Sequence, residues 1–160
     1  VTAINTLQRM GAHFDINDTW ISASATALRP SAVQTDTHPG FMTDWQSPMV
    51  ALFTRCAGLS VVHETVYENR LGFTDALVDA GARIQTFREC LGGSPCRFGR
   101  ANFQHSAVIS GPTPLRAAEI TVPDLRGGFS YVIAALAAVF MSVSTVVVAL
   151  NAQLLRRAKL

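Results

Sequence analysis

The stretch LVDAGARIQT at positions 77–86 repeats the pattern of LQRMGAHFDI at positions 7–16. Each stretch reads as an amphipathic helix that is closed by a glycine and followed by a short alternating strand. The two glycines, Gly11 and Gly81, lie about 70 positions apart. A recurrence at this distance indicates a repeated structural unit, because similar units packed side by side bury a continuous core.

A second pair of segments supports the repeat. TDWQ at positions 43–46 and PDLR at positions 123–126 each place an acid two residues before an amide or a guanidinium, and they lie about 80 positions apart. Strand-like residues precede both segments, and an apolar helical pattern follows them. The unequal spacings predict a unit of about 70 to 80 residues, whose second copy is lengthened in the loop at 88–105.

Hydrophobic periodicity places the secondary structure along the chain. It predicts helices at 2–11, 44–57, 67–81 and 126–139, and strands at 13–16, 19–23, 31–35, 60–64, 83–87, 107–110 and 118–122. This order predicts an α/β or α+β fold in which each unit buries one helix face against a sheet. The chain would then hold the end of one unit, one whole unit and the start of a third.

Composition limits the classes of function. The chain has 160 residues, of which 49% are hydrophobic and 15% charged, as expected for a globular domain with its own core. A net charge of +2 with scattered basic residues does not predict a nucleic-acid-binding face. The helical pattern begins directly after Val1 without a signal sequence, which predicts that the chain is the interior of a longer protein.

The cysteines and histidines give no metal signal. Cys56, Cys90 and Cys96 form no CxxC pair and have no histidine at metal-ligand spacing. We therefore expect no metal site, and a reducing, cytoplasmic setting. His38 and His63 have no partner that the sequence reveals, and we interpret both as structural.

Asp44 is the first candidate for chemistry. It follows a Pro-Gly turn and opens a predicted helix, so its carboxylate could either cap the helix N-terminus or face a ligand beyond it. Asp124 is open to the same two interpretations, with Arg126 as its candidate ion-pair partner. Repetition does not decide between them, because a cap can recur as readily as a catalytic acid.

Arg70 ends the Glu-Asn-Arg triplet at 68–70, in the first turn of the helix predicted at 67–81. The helix dipole disfavours a cation there unless an anion lies nearby, and the candidates are Glu64, Glu68 and a ligand. An exposed arginine–glutamate pair would contribute at most about 1 kcal/mol.

Five motifs follow one another along the chain: HPGFMTDWQ at 38–46, HETVYENR at 63–70, Gly-Ala at 81–82, ISGP at 109–112 and DLRGG at 124–128. In order and spacing they resemble those of the UDP-N-acetylglucosamine enolpyruvyl transferases, over about residues 1–138. The resemblance implies two similar domains, each assembled from three repeated units as an inside-out α/β barrel, with substrates in the cleft between the domains. In this chain such a barrel would be incomplete.

The resemblance also implies a reaction and its residues. An enolpyruvyl group would pass from phosphoenolpyruvate to the 3′-hydroxyl of UDP-N-acetylglucosamine, by addition and then elimination of phosphate, without a cofactor, as the first committed step toward peptidoglycan. At the matching positions, Asp44 would contact the sugar hydroxyl and take its proton, and Val66 would contact the nucleotide sugar through its backbone. Asp124 and Arg126 would lie near the enolpyruvyl site, where a guanidinium can hold a carboxylate. Arg70 would line the cleft.

Parts of the family's site have no counterpart in the sequence. Its cysteine loop, its phosphate-binding lysine and arginine, and most of its nucleotide contacts belong to another domain, so we expect this chain alone to be inactive and the missing domain to be its partner. The match fades after Ala138. We therefore interpret residues 1–138 as a partial domain and 139–160 as a divergent apolar tail. The incomplete unit also predicts marginal stability, because apolar surface meant for absent strands stays exposed.

Residues 131–150 allow a different interpretation. They contain no charge over twenty positions, and three cations follow at 156–159, as a membrane anchor would require. Against a span, residues 126–138 match a buried helix of the family, and 142–150 are rich in β-branched residues that suit a core strand. We expect the core strand rather than the span.

Two further functions would use the same fold. A relative that acts on shikimate 3-phosphate would share the architecture, but the pairing of Thr-Asp-x-Gln with Glu-Asn-Arg favours the sugar nucleotide. A non-catalytic paralogue would keep the core as a binding module and would tolerate the loss of Asp44 and Arg126. The presence of both residues favours the enzyme.

Overall fold

A computed structural model describes residues 2–93 and 97–118 of the chain. The described helices are α1 (Thr2–Arg9), α2 (Gln46–Phe53) and α3 (Phe73–Asp79), with a 3-10 helix at Thr43–Trp45 directly before α2. The described strands are β1 (His13–Ile16), β2 (Ile21–Ser24), β3 (Ala32–Gln34), β4 (Gly58–His63), β5 (Arg83–Phe87) and β6 (Ser106–Gly111). The helix predicted at 126–139 lies outside the described residues, as does most of the strand predicted at 118–122.

All three described helices are shorter than the sequence predicts, and α1 ends at Arg9 rather than at 11. α3 begins at Phe73 rather than at 67, because Asn69 adopts a left-handed conformation with φ 50°, which an α-helix cannot contain. α2 ends at Phe53, and Gly58 at φ 133° starts β4. The residues before α3 therefore form a turn, which is the segment that carries Arg70.

The central sheet has four strands in the order β3-β4-β6-β5. β3 runs parallel to β4, whereas β6 is antiparallel to both of its neighbours, with Val61 opposite Val108 and Ile84 opposite Ile109. β1 and β2 form a separate antiparallel hairpin. The mixed α/β class predicted from the sequence is confirmed.

The core joins α2 to the sheet. Val50 and Phe53 of α2 are fully buried together with Val62 of β4 and Ile109 of β6. Six of the eight residues of α2 are buried, so α2 is a core helix rather than an amphipathic surface helix. Because α2 is fixed in the core, the 3-10 helix that precedes it is fixed as well.

The β1–β2 hairpin leaves apolar side chains in water. Ile16, Trp20 and Ile21 are about half exposed, with Ile21 at 59%, and every residue of β2 is exposed. These side chains form an uncovered apolar surface on the hairpin.

Candidate active site

Asp44 and Arg70 form an ion pair at the surface. Arg70 Nη2 donates a hydrogen bond to Asp44 Oδ1 at 3.0 Å. The Asp44 side chain is 78% exposed, whereas the Arg70 side chain is 16% exposed, with its Cζ 5.3 Å from the centre of the Tyr67 ring. The arginine is therefore held by packing as well as by charge, and the carboxylate projects to where a ligand can reach it.

The interpretation of Asp44 as a helix N-cap is wrong. Asp44 lies inside the 3-10 helix, and the residues at the N-cap positions of the 3-10 helix and of α2, Met42 and Trp45, make no side-chain capping bond. The carboxylate of Asp44 pairs with a guanidinium instead.

The placement of Arg70 in a first helical turn is also wrong, since the left-handed Asn69 keeps this segment in a turn. Its anion is Asp44 and neither of the two glutamates that the sequence suggested. Glu64 is fully buried and its carboxylate is used elsewhere, and Glu68 lies on the exposed side of the turn.

A buried glutamate lies beneath this site. Glu64 directly follows β4 and has no solvent exposure. Its carboxylate accepts hydrogen bonds from five donors: on Oε1 the hydroxyl of Thr35 (2.9 Å) and the backbone N–H groups of Val66 (2.7 Å) and Tyr67 (3.0 Å), and on Oε2 the hydroxyl of Thr43 (2.8 Å) and Nε2 of Gln46 (2.5 Å). From the sequence alone, Glu64 is predicted only as a possible partner of Arg70. The signal that could have found this role is an acid directly after an apolar strand, where burial demands compensation.

Val66 belongs to the same constellation. It lies, partly buried, in the turn between β4 and α3, and its N–H donates to Glu64 Oε1. The backbone group that it can offer to a ligand is therefore its carbonyl oxygen. The structure thus brings together Asp44, Val66 and Arg70, three of the five residues that the sequence proposed. Asp124 and Arg126 lie outside the described residues, and their roles stay predictions.

His63, the last residue of β4, directly precedes Glu64 and is also buried. Its Nδ1 lies 2.8 Å from Ser106 Oγ, whose own hydrogen is donated to the Glu89 carbonyl oxygen at 2.7 Å. Nδ1 therefore carries the proton, and Nε2 has no partner among the described residues. Burial, followed by the charge of His105, lowers the pKa of His63, while Glu64 opposes the shift.

The stability of the protein should fall as the pH drops below about 6.5, the ordinary pKa of histidine. Because folding lowers the pKa of His63, the unfolded chain takes up the proton first, and up to about 1.4 kcal/mol is lost per pH unit until the folded pKa is reached. We expect His63→Asn, which keeps a donor for Ser106, to flatten this part of the profile. The measurement is the free energy of unfolding in urea between about pH 8 and pH 5.

The control for this measurement is His38→Asn, at an exposed histidine. It should leave the slope of the stability profile unchanged. A slope in the His63→Asn variant equal to that of the unsubstituted chain would show that His63 does not govern the profile.

The cysteines have different states. Cys56 is a free, buried thiol, and burial raises its pKa. Cys90 is disulfide-bonded, and its Sγ lies 3.5 Å from His105 Nε2. The expectation of reduced thiols therefore does not hold for Cys90. Within residues 2–93 and 97–118, no group of three or more His, Cys, Asp or Glu side chains could hold a metal ion.

Comparison with known families shows to which class of protein this fold and site belong. The model of the EPSP synthase (3-phosphoshikimate 1-carboxyvinyltransferase) family matches residues 1–150. The chain belongs to this family.

Curated relatives are more specific. The chain is 51% identical over 140 residues to a UDP-N-acetylglucosamine 1-carboxyvinyltransferase of Protochlamydia amoebophila, with 86% of this chain and 30% of the relative covered. It is 46% identical over 137 residues to the protein of the same name from Chlamydia trachomatis serovar D, with 84% and 31% covered. The chain therefore spans about a third of the length of the curated relatives it matches.

A solved structure supports the fold. The enolpyruvyl transferase NikO from Streptomyces tendae aligns with a TM-score of 0.65 at 24% identity, over 85% of this chain and 28% of that protein. No helix in the described part of the chain is long and apolar enough to cross a membrane. The apolar segment 131–150 lies outside that part, so its alternative interpretations as a strand and as a span stay predictions.

Proposed function

We propose that the chain is part of a UDP-N-acetylglucosamine 1-carboxyvinyltransferase, which transfers an enolpyruvyl group from phosphoenolpyruvate to the 3′-hydroxyl of the sugar. The observation that carries the proposal is an exposed carboxylate, Asp44, held at 3.0 Å by the well-packed Arg70. The names of the curated relatives point to the same reaction. Because the chain spans only about a third of these relatives, we expect it to be inactive alone.

Asp44 is the base in this proposal. It accepts the proton of the 3′-hydroxyl as that oxygen bonds to C2 of phosphoenolpyruvate, while a general acid of the missing domain gives a proton to C3. In the second step C3 gives a proton to a base in the cleft, the double bond between C2 and C3 re-forms, and the bond from C2 to the phosphate oxygen breaks, which releases inorganic phosphate. A base must come within hydrogen-bond reach of the hydroxyl, and the 78% exposure of the Asp44 side chain allows this.

The neighbouring residues bind and orient. Arg70 holds one oxygen of Asp44, so that the carboxylate has a defined direction. Val66 offers its carbonyl oxygen to the nucleotide sugar, since its N–H is already donated to Glu64. Asp124 and Arg126 complete the site near the enolpyruvyl group, a role that rests on the resemblance of their DLRGG motif to the family.

The rest of the enzyme supplies the other side of the cleft. We propose that the repeated units form an inside-out α/β barrel and that a second domain faces Asp44 across the substrates. The exposed apolar residues of the β1–β2 hairpin support this, because they are the surface that further units would cover.

The proposed enzyme needs no cofactor and serves peptidoglycan precursor synthesis. We place it in the cytoplasm.

A second candidate function is transfer to shikimate 3-phosphate, because the matching family model is described by that reaction. The Thr-Asp-x-Gln segment at 43–46 and the Glu-Asn-Arg segment at 68–70 favour the sugar nucleotide, as do the names of the relatives.

The test is a hybrid enzyme. In it, the 140-residue segment of the Protochlamydia amoebophila relative that matches this chain is replaced by the residues of this chain. Phosphate release and product mass are measured with UDP-N-acetylglucosamine and with shikimate 3-phosphate as acceptors. We expect turnover with the sugar nucleotide, none with shikimate 3-phosphate, and none from the 160-residue chain alone. A folded hybrid without turnover would contradict the proposal and favour a non-catalytic binding module.

A further inference from the structure

Glu64 is a buried acid for which the described residues supply no cation. It has no solvent exposure, and the salt bridge found in the described part of the chain joins Asp44 to Arg70 and does not include it. A carboxylate removed from water is strongly destabilising unless hydrogen bonds replace its lost solvation. Two backbone N–H groups, two hydroxyls and one amide nitrogen do so here. This arrangement suits the ionised form, which can only accept.

The five donors come from three segments that are distant in sequence. One donor directly follows β3, two lie on either side of Asp44, and two lie in the turn that leads to Arg70. The carboxylate of Glu64 is therefore bonded to the segment that carries each member of the ion pair. These bonds span the gap between the 3-10 helix and the turn after β4.

The connection to Arg70 passes through Tyr67. The backbone N–H of Tyr67 donates to Glu64 at 3.0 Å, and its ring lies 5.3 Å from Cζ of Arg70. A substitution at Glu64 would remove this hydrogen bond and leave the backbone of Tyr67, and with it the ring, less firmly held. The guanidinium would then lose part of the packing that holds it against Asp44.

The connection to Asp44 passes through its neighbours. Thr43 precedes Asp44, and Gln46 begins α2 two residues after it. Gln46 is fully buried, with its Nε2 on Glu64 and its Oε1 without a partner among the described residues. The hydrogen bond from Nε2 to the carboxylate of Glu64 explains why Gln46 is buried even though its Oε1 has no partner there.

We infer that Glu64 is a positioning residue, whose carboxylate holds the Asp44 segment and the Arg70 turn in the relative orientation that presents Asp44 to the acceptor hydroxyl. The catalytic consequence rests on the proposed function. Glu64 itself lies beneath the site and does not contact the substrate.

The first test uses the chain itself and does not depend on catalysis. Glu64→Gln keeps the size of the side chain but replaces an acceptor oxygen by an NH₂ group that faces other donors. We expect hydrogen exchange at the amides of Val66 and Tyr67 to become at least about 10-fold faster, with a smaller change in the β4–β6 ladder. Glu68→Gln, at an exposed acid of the same turn, is the matched control and should change neither. Unchanged exchange at Val66 and Tyr67 in Glu64→Gln would overturn the inference.

The second test asks whether Glu64 acts through Asp44 in the hybrid enzyme. We expect Glu64→Gln to lower kcat/KM about 100-fold when Asp44 is present, but less than about 3-fold in an Asp44→Asn background. Glu64→Asp, which keeps the charge, should recover part of the loss. An equal factor in both backgrounds would mean a general structural role and would overturn the inference.

Failure of the variant to fold and inactivity of the hybrid enzyme can each be distinguished from failure of the inference. If Glu64→Gln does not fold, Thr43→Val removes a single donor beside Asp44 and gives the same comparison between backgrounds. An unsubstituted hybrid that is folded but inactive would overturn the proposed function, and with it the catalytic role of Glu64. The exchange measurement would still decide whether Glu64 holds the turn that leads to Arg70.

Discussion

Asp44→Asn is expected to lower kcat/KM of the hybrid enzyme by about 100-fold to 10,000-fold. The amide has nearly the shape of the carboxylate but cannot take the proton of the acceptor hydroxyl. It also replaces one oxygen of the carboxylate, the group that Arg70 binds, by NH₂. The loss should fall mainly on kcat, because a base acts in the transition state more than in substrate binding. The measurement is steady-state phosphate release with both substrates varied.

The matched control for this substitution is Asp79→Asn, at an exposed acid at the end of α3. The chemical change is identical, and no role in the site is assigned to Asp79. Its activity should stay within about 3-fold of the unsubstituted hybrid. If the activity of the Asp44→Asn hybrid also stays within about 3-fold of the unsubstituted hybrid, Asp44 is not the base.

Gly111→Ala is expected to destabilise the fold by about 3 kcal/mol or more. A Cβ at this position would lie at 2.3 Å from the Cys56 carbonyl oxygen and at 2.9 Å from those of Phe53 and Thr54. These are backbone atoms at the end of α2, so no side-chain rotation can relieve the contact. β6 and α2 would have to separate, and they carry much of the core.

The control for Gly111 is Gly72→Ala, since a Cβ there meets nothing within 4 Å and the backbone is helical at φ −58°. It should be neutral or slightly stabilising. The measurement is the free energy of unfolding in urea for both variants. Equal stabilities of the two variants would contradict the packing of the Gly111 backbone against the end of α2.

The recurring helix–glycine–strand pattern was visible in the sequence because its signal is local. In both copies a helix ends at a glycine with a left-handed backbone, Gly11 at φ 105° and Gly81 at φ 101°, and a strand follows. α1, β1 and β5 were predicted within two residues of their observed bounds for this reason. The start of α3 was missed, because a left-handed Asn69 cannot be distinguished in sequence from a helical one.

The candidate site was only partly predictable. Asp44 and Arg70 were each identified from a motif, but their pairing was missed because it joins residues 26 positions apart. Glu64 was missed as a centre for the same reason, since its donors extend from Thr35 to Tyr67. A compact network of this kind exists only after β3 and β4 have paired.

The most direct measurement of the central claim is a structure of the hybrid enzyme with UDP-N-acetylglucosamine and without phosphoenolpyruvate, so that no turnover occurs. The quantity to measure is the distance between the Asp44 carboxylate and the 3′-oxygen of the sugar. We predict about 3 Å, with Val66 against the nucleotide sugar through its carbonyl oxygen. A sugar bound with its 3′-oxygen out of hydrogen-bond reach of Asp44 would contradict the account.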